Sequence, residues 1–204
     1  MPVVKQAHPL HLRGLQCRTR NADELAGKGQ IGALVGKFYT EDIANEKTTS
    51  RVNPGVVYCV YTDYASDETG DYTFFIGEEI AAASVPTNFI AADSVGEHQG
   101  KGEVEKKDVG RRVNTVQEEM NKDGTTSAGK KNVIAYVTVE AGLYEKRVSE
   151  KGKLPDCEVA LWKQIWGDAE LKARRAFGTD FVVYDKLNPA EDTEIPIFLQ
   201  LAAE

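Results

Sequence analysis

The chain offers few of the side-chain patterns that support covalent or metal chemistry. Its three histidines, His8, His11 and His98, are scattered, and no Ser-His-Asp pattern accompanies them. Its three cysteines are widely spaced and contain no CxxC pair, which argues against a zinc site and against a disulfide framework. We therefore expect reduced thiols, no metal and no cofactor, and a function that depends on other side chains.

The side chains that remain for recognition are aromatic rings and carboxylates. Aromatic faces stack on flat molecules and attract cations, at about 0.5–2 kcal/mol per contact, and a buried carboxylate supplies the countercharge that a desolvated cation needs. Core packing is the competing interpretation for each ring, because large aromatics commonly fill protein cores.

Length and charge narrow the class of protein. The 204 residues fit a single domain built from two similar halves, and 41% of them are hydrophobic, enough for a sizeable core. The net charge of −7 would repel a phosphate backbone, so we expect no direct nucleic-acid binding. The longest apolar runs are far shorter than the roughly 20 residues of a membrane span, and residues 1–8 lack a signal-peptide pattern. We expect a cytoplasmic protein without membrane contact.

The first half of the chain predicts the order β-α-β-β. Residues 10–19 alternate as a strand does, with a possible bulge at Gly14. Apolar residues at i, i+3, i+4 and i+7 across 31–38 predict an amphipathic helix. Alternating runs at about 55–64 and 70–80, joined by a polar loop with a glycine, predict a β-hairpin.

The second half repeats that order. Strand material lies at 132–139 and 143–148, a helix begins near residue 155, and strands follow at about 176–185 and 194–202. A short internal match supports a duplication. Ala33-Leu34-Val35 lines up with Ala160-Leu161-Trp162, and Phe38-Tyr39 then lines up with Ile165-Trp166.

The two halves, about 10–80 and 132–202, are separated by a polar insertion at about 81–131. Spaced valines predict one helix within 103–122, whose other positions are largely charged. Because acidic and basic residues interleave there, a solvated helix face is the simpler interpretation. The alternative is a docking element for a protein partner.

Several segments together resemble a known ligand-sensing domain. They are Arg18-Thr19-Arg20-Asn21-Ala22, Asn53-Pro54-Gly55, Tyr61-Thr62-Asp63-Tyr64-Ala65-Ser66-Asp67, Gly70-Asp71-Tyr72, Phe75-Ile76-Gly77, Ser149-Glu150-Lys151-Gly152 and Gly178-Thr179-Asp180-Phe181. Their order and spacing resemble the GyrI-like effector-binding domain of AraC-type and MerR-type multidrug regulators, in particular its stand-alone, integron-associated version. The resemblance implies an α+β fold: a pseudo-two-fold duplication of β-α-β-β units that forms a curved antiparallel sheet with two helices and a ligand cleft. It implies one effector-binding domain over 1–204.

The resemblance implies that the cleft has aromatic walls, for which the candidates are Trp162, Tyr184, Tyr61, Phe38 and Tyr58. Trp162 and Tyr184 fall at pocket positions of the family. The chain also departs from the family pattern at two positions. Val35 stands where the family usually has tryptophan, and Val182 stands where it usually has the central glutamate. Losing that glutamate removes the main countercharge or acid–base group, so we expect a preference for neutral apolar ligands and higher cation affinity in Val182→Glu. Asp180, Glu78 and Glu194 remain, and the general exposure of carboxylates favours solvated rim positions for them.

Three functions stay open at this point. The resemblance favours non-catalytic binding or sensing of hydrophobic, planar, possibly cationic small molecules between the two halves. Some relatives of the family hydrolyse cyclopropane-bearing genotoxins, which requires a general acid or base in the cleft. Other relatives inhibit gyrase, so a protein-interaction module is the third class, and the 81–131 insertion is the feature that favours it.

Overall fold

The computed structural model describes residues 2–41, 43, 50–86, 134–185 and 191–203. These residues form eight β-strands, four α-helices and one short 3-10 turn. In chain order they are β1 Val3–Gln6, β2 Leu10–Arg20, α1 Asn21–Leu25, α2 Ile31–Thr40, β3 Val56–Thr62, β4 Asp71–Glu79, the turn Ala82–Ser84, β5 Ala135–Val139, β6 Gly142–Val148, α3 Asp156–Gly167, α4 Ala169–Arg174, β7 Thr179–Asp185 and β8 Pro196–Gln200.

The eight strands form one antiparallel sheet whose order reflects the duplication. The order is β1-β6-β8-β7-β3-β4-β2-β5, so β6, β8 and β7 mirror β2, β4 and β3 about the β7–β3 pair. At that centre Cys59 lies opposite Val182. The predicted α+β class and the pseudo-two-fold β-α-β-β duplication are confirmed.

The sheet is curled because its two edges are tied to each other along the chain. Only three residues separate β1 at one edge from β2 near the other edge, and three residues span at most about 11 Å. Likewise, residues 140–141 alone join β5, at the far edge, to β6. Each half therefore places its first strand beside the other half, and the sheet closes into a half-barrel.

Both faces of the sheet are buried, which strand alternation makes possible. Val57 and Cys59 of β3 pack in one cluster with Phe38 of α2 and Ile165 of α3. The intervening side chains of β3 point the other way, and Val60 joins a second cluster inside the curl. The helices therefore cover one face only, and the end of that face is where a cleft can form.

Several local predictions differ from the structure. β1, α1 and α4 were not expected, because four to six residues are too short to show a period. The predicted bulge at Gly14 is wrong, since the register with β4 runs unbroken past Gly77 and the register with β5 is regular up to Ala135. The glycine instead allows close backbone approach: a Cβ built on Gly14 would lie 1.9 Å from the carbonyl oxygen of Ile76.

Most of the predicted insertion, including the helix expected at 103–122, lies outside the described residues. Among the described helices, none is both long enough and apolar enough to cross a bilayer.

Candidate functional site

A cavity of about 320 Å³ lies where the two halves meet on the helix-covered face. Its walls are α1, the first turn of α2, the ends of β3 and β4 with the loop between them, and α3. The lining residues are Asn21, Glu24, Leu25, Ile31, Gly32, Tyr61, Tyr64, Glu68, Tyr72, Pro155, Glu158, Val159, Trp162 and Trp166. Apolar and aromatic side chains dominate this set, and its charged members are all acidic.

A buried carboxylate, Glu158, forms the centre of the site. It lies on the first turn of α3 with only 8% of its surface exposed. It accepts hydrogen bonds from the Tyr61 hydroxyl at 3.5 Å, from Trp162 Nε1 at 3.2 Å, and from the Tyr184 hydroxyl at shorter range. Burial raises the pKa of Glu158, and the three hydrogen bonds offset this only in part.

The helix places Glu158 on its apolar side. Glu158, Trp162 and Ile165 occupy positions i, i+4 and i+7 of α3, all are buried, and residues with this spacing share one helix face. The acidic residue therefore interrupts an otherwise apolar stripe. Because i and i+4 side chains are neighbours, the indole of Trp162 can donate to the carboxylate within the same helix.

The two tyrosines that donate to Glu158 are related by the pseudo-two-fold. Tyr61 and Tyr184 each lie two residues beyond the central Cys59–Val182 pair of their strands. The acid itself has no symmetric partner, since the internal match between α2 and α3 sets Ile31 opposite Glu158. The two halves thus supply equivalent donors, and one half alone supplies the charge.

Aromatic rings pack against one another around the carboxylate, in edge-to-face, tilted and stacked arrangements. The ring of Tyr61 lies 4.9 Å from that of Trp162 and 5.6 Å from that of Tyr72, measured between centroids. Trp166 stacks on Trp162 at 6.1 Å. Such contacts fix ring orientation, so the wall offers preformed π-faces to a ligand.

Two further carboxylates line the cavity and differ in how they are held. Glu24 caps α2: its Oε1 accepts from the backbone amides of Gln30 at 2.8 Å and Ile31 at 3.3 Å. Glu68, in the β3–β4 loop, contacts the Lys172 ammonium at 2.6 Å. No Lys, Arg or His is found among the lining residues that the structure describes. The described lining therefore offers a cation three carboxylates and no competing basic side chain.

The structure brings some of the predicted site residues together and separates others. Trp162 and Tyr61 line the cavity, and Tyr184 contacts its central carboxylate while lining a smaller neighbouring cavity of about 180 Å³. Phe38 is a buried core residue, and Tyr58 lies on the other face of the sheet, 6.5 Å from the ring of Phe181.

The two valine departures also lie outside the cavity lining. Val182 is fully buried in the core, and Val35 packs against the same core from α2. Both valines thus pack with the hydrophobic core in this chain. A role for Val35, Val182, Phe38 or Tyr58 in binding remains a prediction.

The interpretation of the remaining acids as rim charges is wrong for two of them. Asp180 is fully buried, paired with Arg175, and accepts a hydrogen bond from the Tyr64 hydroxyl at 2.8 Å. Glu78 is 3% exposed and lies 3.1 Å from Arg51. Carboxylates this deeply buried persist because a guanidinium pairs with them.

Sequence reasoning missed Glu158 and did not count Trp166 among the pocket walls. The signal for Glu158 was present, because an acid at i−4 from Trp162 on an apolar stripe must be buried with partners. No three or more His, Cys, Asp or Glu side chains in the described ranges are grouped so as to hold a metal ion. Cys17, Cys59 and Cys157 are free thiols.

Comparison with known proteins gives matches in structure alone. No protein-family model and no curated protein sequence matches the chain. An integron cassette protein from the mobile metagenome of Vibrio cholerae aligns with a TM-score of 0.57 and 19% identity, over 98% of this chain and 95% of that one. A candidate transcription regulation protein from Staphylococcus aureus aligns with a TM-score of 0.57 and 10% identity, over 99% and 97%.

A third solved structure was determined with a ligand. The protein SAV2435, bound to tetraphenylphosphonium, aligns with a TM-score of 0.58 and 12% identity, over 99% of this chain and 93% of that one. The chain therefore has the fold of these three proteins, in agreement with the GyrI-like resemblance of its sequence.

Proposed function

We propose that the chain binds flat, hydrophobic, cationic organic molecules in the cavity around Glu158, without catalysing a reaction. The observation that carries this proposal is a buried carboxylate held by three aromatic donors in a cavity whose charged lining residues are all acidic. The sequence alone favoured neutral ligands, because it located the missing family glutamate at Val182. Glu158 supplies a carboxylate from α3 instead.

The energetics of burial favour a cation over a neutral ligand. A carboxylate in a desolvated site is destabilised unless an opposite charge accompanies it, and burial does raise the pKa of Glu158. An organic cation brings that charge together with apolar surface, which the rings of Tyr61, Trp162 and Trp166 can cover. The cavity of about 320 Å³ is at the small end of the range for ligand pockets, roughly 300–1,000 Å³.

The structural comparison supports the hydrophobic, cationic character of the ligand but not its flat shape, because tetraphenylphosphonium is tetrahedral. Tetraphenylphosphonium, which is bound in the structure of SAV2435, is a hydrophobic cation with aromatic rings. The shared fold makes a cation of this kind the natural first probe for this chain.

Tryptophan fluorescence tests the proposal directly, because both tryptophans of the chain line the cavity. Titration with tetraphenylphosphonium and with a cationic rhodamine should change the emission in a saturable way at micromolar concentrations. Calorimetry in parallel should give the same affinity. Unchanged fluorescence together with no measurable heat for both probes would rule the proposal out.

The variant Glu158→Gln tests the role of the charge. It keeps an acceptor oxygen for the ring donors but removes the countercharge, so the affinity for cations should fall by about tenfold or more. Glu194→Gln is the matched control, since Glu194 is an exposed carboxylate outside the cavity lining. An equal loss in both variants would show that net charge, and not the site, determines affinity.

A second function is favoured by the same residue. Hydrolysis of cyclopropane-bearing genotoxins would need a general acid or base, and a buried glutamate with a raised pKa flanked by tyrosine hydroxyls fits that role. Turnover of a reactive cyclopropyl compound by the wild-type chain, abolished in Glu158→Gln, would establish an enzyme. Binding of such compounds without turnover would support the non-catalytic proposal.

A further inference from the structure

The three carboxylates that line the cavity are not equally available to a ligand. Both oxygens of Glu24 contact the backbone amide of Ile31, and its Oε1 also accepts from Thr19 Oγ1 at 2.5 Å. Its charge also lies at the N-terminus of α2, where the helix dipole compensates it. Glu24 is therefore committed to holding α1 against α2, which leaves Glu158 and Glu68.

The group of charges around Glu68 retains one net negative charge. Lys172 is shared between Asp67 at 2.7 Å and Glu68 at 2.6 Å. Arg175, whose pKa Glu68 also raises, is already paired with Asp180, so three carboxylates face two cations. The Glu68 side chain is 12% exposed. Its Oε2 is buried and has no hydrogen-bond donor within the part of the chain that the structure describes. A buried carboxylate oxygen in this state favours a ligand cation or donor.

Two neighbouring tyrosine rings connect the surroundings of Glu158 with those of Glu68. On one side, the Tyr61 hydroxyl donates to Glu158. On the other side, the Tyr72 hydroxyl donates to Asn21 Oδ1 at 2.9 Å, and the amide of Asn21 holds the backbone carbonyl of Glu68 at 2.8 Å. The rings of Tyr61 and Tyr72 are neighbours, with centroids 5.6 Å apart. Glu158 thus contacts one ring of this pair, and the backbone of Glu68 is linked through Asn21 to the other.

We propose that the preferred ligands are dications, in which two cationic groups are separated by an apolar spacer. One group would lie at Glu158, the other at Glu68, and the spacer would lie along Tyr61 and Tyr72. This inference rests on the proposed function and narrows it to a ligand class. The aromatic residues that line the cavity suit quaternary or planar delocalised cations, which carry little tightly bound water.

A series of bis(trimethylammonium)alkanes tests the inference against alkyltrimethylammonium ions of equal chain length. Calorimetry, or displacement of a bound rhodamine, gives each affinity. One spacer length should bind at least about fivefold more tightly than its single-headed partner, the size of one partly desolvated charge contact. Shorter and longer spacers should lose that advantage.

Two substitutions locate the second cationic group. Glu68→Gln should remove the advantage of the best dication and leave the single-headed ion within about twofold, whereas Glu158→Gln should weaken both. Lys172→Met keeps the apolar stem, frees Glu68 from its ammonium, and should increase the advantage of the dication, which keeps the test valid if Glu68→Gln folds poorly. Glu194→Gln should change nothing.

The outcomes separate this inference from the proposed function. If single-headed ions bind in a Glu158-dependent way but dications gain nothing at any length, the dication proposal is overturned and the proposed function stands. The same holds if the dication advantage persists in Glu68→Gln and does not respond to Lys172→Met. If no cation of either kind binds, both proposals fail.

Discussion

Substitution of Val182 by glutamate distinguishes the structure from the sequence resemblance. Val182 is fully buried, in a central strand between β3 and β8. A glutamate there would place a carboxylate in the core without a cation to pair with it. Burying this unpaired charge costs about 3–5 kcal/mol at neutral pH. Domains have a total stability of about 5–15 kcal/mol, so the change is a large fraction of it. The resemblance alone predicted higher cation affinity in this variant.

Urea unfolding provides the assay. With a slope of about 2–3 kcal/mol per molar for a chain of this size, the midpoint should fall by roughly 1.5 M. The loss should shrink when the pH is lowered to about 4.5, because burial raises the pKa of the new carboxyl group and protonation then removes its charge. Val148→Glu is the matched control. Val148 is 47% exposed on β6, so its midpoint should move little.

Cation binding by the Val182→Glu variant completes the test. Val182 is absent from the cavity lining, so the folded fraction should bind tetraphenylphosphonium no more tightly than the wild type. An unchanged urea midpoint together with increased cation affinity would refute this reasoning. That result would mean that the side chain at 182 reaches the ligand, as the resemblance implies.

Two other predictions concern protonation and backbone packing. Burial raises the pKa of Glu158, so its contribution to stability is present below the unfolded-state pKa and is lost as the pH rises through the folded-state pKa. Cation affinity should rise over the same pH interval, because the carboxylate then becomes charged. Both pH dependences should be absent in Glu158→Gln. Gly14→Ala should destabilise the fold by about 3 kcal/mol, since its Cβ would clash with the Ile76 carbonyl. Gly36→Ala is the contrasting variant, because a Cβ on Gly36 would have no neighbouring atom within 4 Å. It should stabilise α2 by about 0.5–1 kcal/mol in the same urea assay. Equal effects of the two alanines would contradict the close approach of β2 and β4.

The elements with a clear period were predictable from the sequence. The helices α2 and α3 bury one face each, so their hydrophobic spacing reveals them. The strands β3 and β4 are buried on both faces, and they are recognisable as short, largely apolar runs bounded by turn residues. α1 could not be predicted in this way, because its five residues include no buried one and it is positioned by capping contacts of Glu24.

The curl of the sheet required information that local pattern does not contain. β1 pairs with β6, and β5 pairs with β2, over more than a hundred residues of sequence separation. Alternation shows which side of a strand is buried but not which strand lies next to it. The exchange of first strands between the halves is therefore a property of the assembled sheet.

The aromatic residues of the candidate site could be predicted from the sequence, but its central carboxylate was not. Trp162 and Tyr61 could be predicted, because both are large aromatic residues on a helix and a strand that the sequence indicates, and both line the cavity. Glu158 was overlooked because the resemblance directed the search for an acid to β7. The spacing of α3 was sufficient to find it, whereas the pairing of Asp180 with Arg175 could be recognised only after the chain was folded.

The most direct test of the central claim compares two ligands that differ in charge and hardly in shape. Phenyltrimethylammonium and tert-butylbenzene form such a pair, and competition against a bound rhodamine gives both affinities for the wild type and for Glu158→Gln. The wild type should prefer the cation by about tenfold to a hundredfold, and the variant should lose that preference while retaining its affinity for the neutral compound. Equal affinities in the wild type, or a preference that survives in Glu158→Gln, would contradict a cation site centred on Glu158.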